Sequence, residues 1–199
     1  FTSRAAGNLG LHVDDELGGG RDASLVRTLN HRAALEEALG TEPFFYLNQV
    51  HGVQIAYPED YTVESYAPGA PEERTVERAR AVLENSPVAD AAISTEGVPL
   101  AIMVADCIPV VLVGERVANW QPILAVAHAG RRGLLDGVLQ QTVQRMRQLG
   151  AEKITAWLGP SICGSCYEVP EAMRAESTEL IPQVHSVTSQ QTPGLDLPA

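Results

Sequence analysis

The sequence predicts a mixed α/β protein of the α+β type, with β-sheets flanked by helices in layers. Three observations carry this. Apolar, β-branched runs such as "AIMVADCIPVVLV" and "PILAVAHAG" are bounded by turn residues at strand-like lengths. Helical patterns follow only some of these runs, which argues against a regular βαβ array. The chain of 199 residues is 45% hydrophobic, enough for one substantial core, so a single domain over 1–199 is expected.

The elements follow in order. "FTSRAAGNLGLHVDD" places Gly7 and Gly10 among polar residues and reads as a short strand and turn. "DASLVRTLNHRAALEEALG" has Leu25, Leu29, Leu35 and Leu39 near helical spacing, with Gly40 as a stop. "FFYLNQVHG" and "VQIAYPE" read as two short strands. Residues 58–87 are dense in Pro, Glu and Arg and read as a surface excursion carrying a short helix from Glu72 to Glu84. "ADAAISTEGVPLAIMVADCIPVVLV" gives two strands around "TEGVP", and "PILAVAHAG" gives another that ends at His128. "GLLDGVLQQTVQRMRQLG" is the clearest amphipathic helix, stopped by Gly150. "KITAWLG" is a further strand, and "PEAMRAESTELI" a last helix.

Composition narrows the function. A net charge of -11 disfavours a nucleic-acid partner, because affinity for a phosphate backbone comes from clustered Lys and Arg. A local pocket of Arg still suits a small anion. No run approaches the ~20 apolar residues that cross a bilayer, and no basic-then-apolar leader is seen, so a cytoplasmic protein with no membrane partner is expected. Three cysteines are too few for a disulfide framework. Cys163 and Cys166 share a CGSC spacing that reads as a redox pair, as half of a zinc site, or as a Gly-rich turn with two thiols. Nucleotide signatures are absent: no GxGxxG follows a strand and there is no Walker-type loop.

Three segments share a format in which an apolar strand delivers a coordinating residue into a turn of small residues. They are "LNQVHG", "MVADCIP" and "AVAHAGRRG", and they mark His51, Cys107 and His128. If the three converge, two imidazoles and a thiolate suit Zn²⁺ with one coordination position open, the pattern of a catalytic site. Without a metal, the same set reads as a Cys nucleophile with a His base. Asp106 either orients a ligand His or accepts a proton, or is a turn carboxylate. Arg132 and Arg4 are the cations best suited to an anionic group.

The blocks "FTSR…NLGLHVDD", "LNQVHG", "ADA…T…GVPLAIMVADCIPVVL", "AVAHAGRRG" and "AWLGPSICGSCYEV" resemble, in order and spacing, the YfiH/DUF152 family. That family is also called the laccase-domain or multicopper polyphenol oxidase family and peptidoglycan editing factor. The resemblance runs from Phe1 to about Val169. It implies a YfiH-like fold and a zinc site made by His51, Cys107 and His128. It also implies purine nucleoside phosphorylase activity, with phosphate, on adenosine, inosine, guanosine and methylthioadenosine, and adenosine deaminase activity in the same pocket. For phosphorolysis, Arg132 and Arg4 would hold the anion, while Asp106 and Glu168 are the candidates for the general acid.

The polyphenol oxidase name implies Cu²⁺ instead, which imidazole and thiolate also bind, although five histidines are few for a multicopper enzyme. A third expectation is a metal-free Cys hydrolase acting on peptidoglycan precursors. The chain departs from the family pattern in places. Arg131 stands where the family has Trp in "HAGWRG", the opening glycine-rich loop is shortened to "RAAGN", and a Gly is missing between Val13 and Asp14. Relatives continue past "LDLP", so a C-terminal part that would wall the pocket is expected to be lacking.

Overall fold

The two longest apolar runs form neighbouring strands at the heart of a five-stranded sheet. The computed structural model describes residues 2, 4–13, 17–117 and 120–199, without the side chain of Arg4. In chain order the strands are β1 (Phe45–Tyr46), β2 (Ile55–Ala56), β3 (Ala91–Ser94), β4 (Leu100–Ala101), β5 (Ile108–Glu115), β6 (Ile123–Ala129), β7 (Lys153–Leu158), β8 (His185–Val187) and β9 (Pro193–Leu195). The helices are α1 (Gly20–Leu39), α2 (Val63–Tyr66), α3 (Val76–Asn85), α4 (Arg131–Leu135), α5 (Val138–Gln148) and α6 (Glu171–Leu180). The large sheet has the order β2-β3-β6-β5-β7; β2 and β3 are parallel and the other neighbours antiparallel. Strands β1 and β4 form a separate parallel pair, and β8 and β9 an antiparallel one. This is the mixed α/β architecture expected from the sequence.

Both faces of the sheet are covered, so its central strands read as continuous apolar runs rather than strict alternations. On one face Ile123, Ala125 and Ala127 of β6 pack with Ile108, Val110 and Leu112 of β5 and with Val138 and Met146 of α5. On the other face Val126 packs with Phe45, Leu47 and Tyr66. A strand's side chains alternate between faces, so His128 shares its side with Val126. A third cluster joins Leu25 and Leu29 of α1 to Ala79 and Val82 of α3.

Several elements differ from the sequence reading for local reasons. The N-terminal stretch is not a strand among its described residues. Asn8 donates to the carbonyls of Gly10 and Val13 and accepts from the Gly10 N–H at 2.9 Å, so its side chain occupies groups a strand partner would use. The apolar run 100–113 is two strands, because residues 102–107 leave the ladder and Asp106 takes a left-handed φ of 77°. The long helix over 133–150 is α4 and α5, divided at Gly137 with φ 89°.

The Pro/Glu-rich residues 58–87 carry α2 and α3, and their helix begins at Val76, where the Thr75 hydroxyl caps the Arg78 N–H at 3.2 Å. Most charged side chains there are exposed, while Arg74 and Arg78 are half-buried and Tyr66, Ala79 and Val82 are buried. Helix α1 does not bury the expected leucine stripe to its end: Leu25 and Leu29 are buried, Leu39 is exposed, and Arg32 and Glu36 continue the buried stripe. Arg32 is accommodated by lying over the Tyr46 ring at 3.7 Å and donating from Nε to the Leu9 carbonyl at 2.9 Å. No helix is long and apolar enough to cross a membrane among the described residues.

Candidate metal centre

Three chain segments that leave the ladders at one end of the sheets meet at a single point. His51 lies in the loop between β1 and β2, Cys107 immediately precedes β5, and His128 is the penultimate residue of β6. The register pairs Ile108 with Ala129, which sets Cys107 beside the end of β6. One donor atom from each residue lies within 4.8 Å of the others. Cys107 Sγ is 3.8 Å from His51 Nε2, and the His51 and His128 rings are edge to face with centroids 4.7 Å apart. His128 is buried, Cys107 half-buried and His51 exposed, so the cluster has one protected side and one open side.

The loops are held by residues that sequence reasoning missed. Asp90, fully buried just before β3, accepts from the N–H groups of Val50 (3.1 Å), His51 (2.9 Å) and Gly52 (2.7 Å) and from His128 Nδ1 (2.8 Å). Three successive N–H groups around one carboxylate form an anion nest, and they fix His51 in its left-handed conformation at φ 61°. The "ADA" block carried this residue in plain view at a strand start, where an isolated acid before an apolar run is the available signal.

Gln49 joins the first loop to the second. Its Nε2 donates to the Met103 carbonyl at 2.7 Å and its Oε1 accepts from the Met103 N–H at 2.8 Å. Gly130 supplies the space: a Cβ there would lie 2.6 Å from His51 Cδ2 and 3.0 Å from Cys107 Sγ.

Electrostatics favour a cation. Burial would raise the Asp90 pKa, but the His128 ring and the three N–H groups hold the carboxyl below its usual range. Burial would lower the His128 pKa, yet the Asp90 hydrogen bond and the facing Cys107 sulfur push it up to about 9. Ligation requires that proton to leave, so metal affinity at His128 rises with pH. With Nδ1 turned to Asp90, His128 has Nε2 free to ligate, the usual carboxylate–histidine–metal arrangement. Tetrahedral zinc with Zn–S near 2.3 Å and Zn–N near 2.05 Å needs an S···N separation of about 3.6 Å. The 3.8 Å between Cys107 and His51 meets that requirement. The donor set fits a borderline-soft transition metal.

The other expected site residues are less closely joined. Asp106 is exposed beside Cys107, and its carbonyl accepts from the Ile162 N–H at 2.9 Å. Arg132 is exposed on the first turn of α4, with Nε 3.7 Å from Asp136. Arg131, at the family's Trp position, is half-buried and ties α4 to α6 through Ser177 at 3.2 Å and Glu176 at 3.5 Å. Glu168 is exposed and lines a shallow cleft with Ser165, Cys166 and Thr188, apart from the three donors. The side chain of Arg4 and the position of Asp14 lie outside the described residues.

Fold and donor set together define a mixed α/β protein in which two loops and a strand end assemble a three-donor cluster that could hold a metal ion. Residues 3–199 match the family described as multi-copper polyphenol oxidoreductase laccase, and the chain belongs to that family. It is 37% identical over 206 residues to a purine nucleoside phosphorylase of Streptomyces coelicolor, covering all of this chain and 75% of that protein. It is 32% identical over 211 residues to a purine nucleoside phosphorylase of Corynebacterium glutamicum, covering all of this chain and 74% of that one.

Among solved structures, it resembles a DUF152 protein of Neisseria meningitidis with a TM-score of 0.65 and 27% identity. The hypothetical protein YfiH of Bacillus licheniformis matches with a TM-score of 0.69 and 22% identity. In each case 96% of this chain and 66% of the solved chain are covered. The chain therefore spans about three quarters of these two phosphorylases and just under two thirds of these two solved chains.

Proposed function

We propose that the protein is a zinc-dependent purine nucleoside phosphorylase acting on adenosine, inosine, guanosine and methylthioadenosine. The observation that carries this reading is the convergence of His51, Cys107 and His128 in a chain 37% identical to a purine nucleoside phosphorylase. In phosphorolysis a phosphate oxygen bonds to the ribose C1′ as the bond from C1′ to the purine nitrogen breaks. The electron pair leaves with the purine, which takes up a proton. His51, Cys107 and His128 would hold the metal, which supplies Lewis-acid polarisation when bound.

The chain's own groups have the remaining tasks. Arg132 is exposed, and an exposed pair such as Arg132 with Asp136 contributes at most about 1 kcal/mol, so the guanidinium is free to exchange that partner for phosphate. Arg4 is assigned to the same anion. Asp106, next to Cys107, is the better placed of the two candidate acids, because Glu168 lies in the separate cleft. Adenosine deaminase activity in the same cleft belongs to this reading, and ammonia release from adenosine without phosphate would report it.

The decisive experiment pairs elemental analysis of the purified protein with an inosine-plus-phosphate assay before and after chelation. Stoichiometric zinc is expected, with phosphorolysis lost on chelation and restored by zinc. Cys107→Ser is expected to lose metal and at least about 100-fold in activity. Unchanged turnover in metal-free protein would sink the proposal. It would favour the Cys-hydrolase reading, which the 3.8 Å approach of Cys107 to His51 also permits and which predicts inactivation by alkylation. The copper reading rests on the family description. Among the described residues, the donors form one cluster sized for one ion.

A further inference from the structure

Outside the three-donor cluster, Cys163 and Cys166 are free and exposed, and the chain between them is folded into a tight turn. The Cys166 N–H donates to the Cys163 carbonyl at 2.9 Å, and the Tyr167 N–H donates to the same oxygen at 3.0 Å. A turn closed by that bond keeps its end Cα atoms closer than about 7 Å, within reach of the roughly 4.4–6.8 Å that a disulfide requires. The turn is also pinned from below. Ser189 N–H donates to the Ser165 carbonyl at 2.9 Å and Ser186 Oγ to the Gly164 carbonyl at 3.1 Å.

Gly164 presses so closely on the β8–β9 layer that a Cβ would sit 2.6 Å from Asp196 Cβ and 2.7 Å from Ser186 Oγ. The backbone is thus fixed while both sulfurs face water. The two thiols are also unequal. Cys163 is hydrogen-bonded to Ser165 Oγ at 3.1 Å, which with Cys166 lowers its pKa, whereas Cys163 raises that of Cys166. An attacking and a resolving thiol differ in this sense. Among the described residues the pair belongs to no three-donor cluster, which separates it from a second zinc site.

The structure assigns Cys163 and Cys166 as a reversible dithiol–disulfide couple that exchanges with low-molecular-weight disulfides. The Cys163 thiolate attacks one sulfur of R–S–S–R, forming a Cys163–S–S–R bond and expelling RS⁻. The Cys166 thiolate then attacks the Cys163 sulfur, closing the intramolecular disulfide and expelling the second RS⁻. The protein loses two protons and two electrons, and R–S–S–R is reduced to two RSH. The turn also adjoins the metal centre, since Ile162 donates to the Asp106 carbonyl at 2.9 Å. The couple itself is independent of which nucleoside, if any, that centre takes.

The test equilibrates the full chain in glutathione buffers of increasing oxidised fraction, followed by acid quench, alkylation and trypsin digestion. The peptide spanning 154–174 contains both thiols and no other cysteine, and Cys107 falls in the separate peptide 81–116. Expected is one two-electron transition in which the 154–174 peptide loses both alkylation sites and is lighter than the dithiol form by two hydrogens. Preorganisation should make that disulfide at least about tenfold more favoured in the folded chain than in urea. Cys163→Ser and Cys166→Ser should each carry glutathione as a mixed disulfide instead. Two thiols that stay alkylatable at every ratio, glutathione retained on the unsubstituted peptide, or equal stability in urea would each overturn the assignment.

Discussion

The carboxylate of Asp90 accepts three consecutive backbone N–H groups and the His128 ring, a task for which an amide is unsuited. Each oxygen takes two donors, so an Asn placed there must turn its NH₂ toward N–H groups. Asp90→Asn is therefore expected to destabilise the fold by at least about 2 kcal/mol in chemical denaturation. It should also weaken metal binding by about 10- to 100-fold in a competition titration with a chromophoric chelator. Gly130→Ala isolates space from charge. Its backbone φ of -72° tolerates any residue, but the new Cβ meets His51 and Cys107, so metal is lost while the far-ultraviolet circular dichroism is kept. Full metal occupancy in that variant would show that the ligand loops can yield. The three donors were legible because each is a coordinating residue set where an apolar run meets a turn: His51 before Gly52, Cys107 ahead of β5 and His128 near the end of β6. Asp90 was not, because its partners are backbone groups from a loop 38 to 40 residues away, and no residue type advertises those.

Helices and strands were legible in proportion to their length. The runs that became β5, β6, α1 and α5 are long enough for a period to show, whereas β1, β2 and β4, within runs also read as strands, are cut to two residues each. Gln49 illustrates this: its side chain bridges to Met103 in place of a longer β1–β4 ladder. Strands β8 and β9 arise from the polar stretch "HSVTSQQTPGL", where Val184, Leu195 and Leu197 mark the buried apolar side. The break between α4 and α5 is a single-residue effect. Gly137 has φ 89°, where a Cβ costs roughly 1–2 kcal/mol, and its nearest neighbour is 3.5 Å away, so strain rather than collision dominates. Gly137→Ala should lower unfolding stability by about that amount without removing metal. A loss above about 4 kcal/mol would mean that the α4–α5 corner carries packing beyond its backbone geometry.

At the level of the whole molecule, a metal ion held by the three donors would be a staple between segments that hydrogen bonds already join. His51 belongs to the β1–β2 loop, Cys107 to the connection that leads from β4 into β5, and His128 to the central strand β6. Asp90 already ties the first of these to the third, so folding without metal does not leave the loops wholly free. Gln49 likewise ties the first to the second through Met103; a bound metal ion would cross-link all three, and any ligand that binds only the folded chain raises its stability by mass action. With free zinc at about 100 times its dissociation constant, that increment is about 2.7 kcal/mol. Scanning calorimetry should therefore show the thermal midpoint of the unsubstituted protein rising with zinc activity and levelling only logarithmically. Cys107→Ser should lose most of that dependence while its metal-free midpoint stays near the parent value, because the half-buried thiol fills little core volume. If zinc shifts both proteins equally, the stabilising ion sits elsewhere and the three donors are not its ligands. If it shifts neither, the geometry at His51, Cys107 and His128 serves a thiol–imidazole pair rather than a metal.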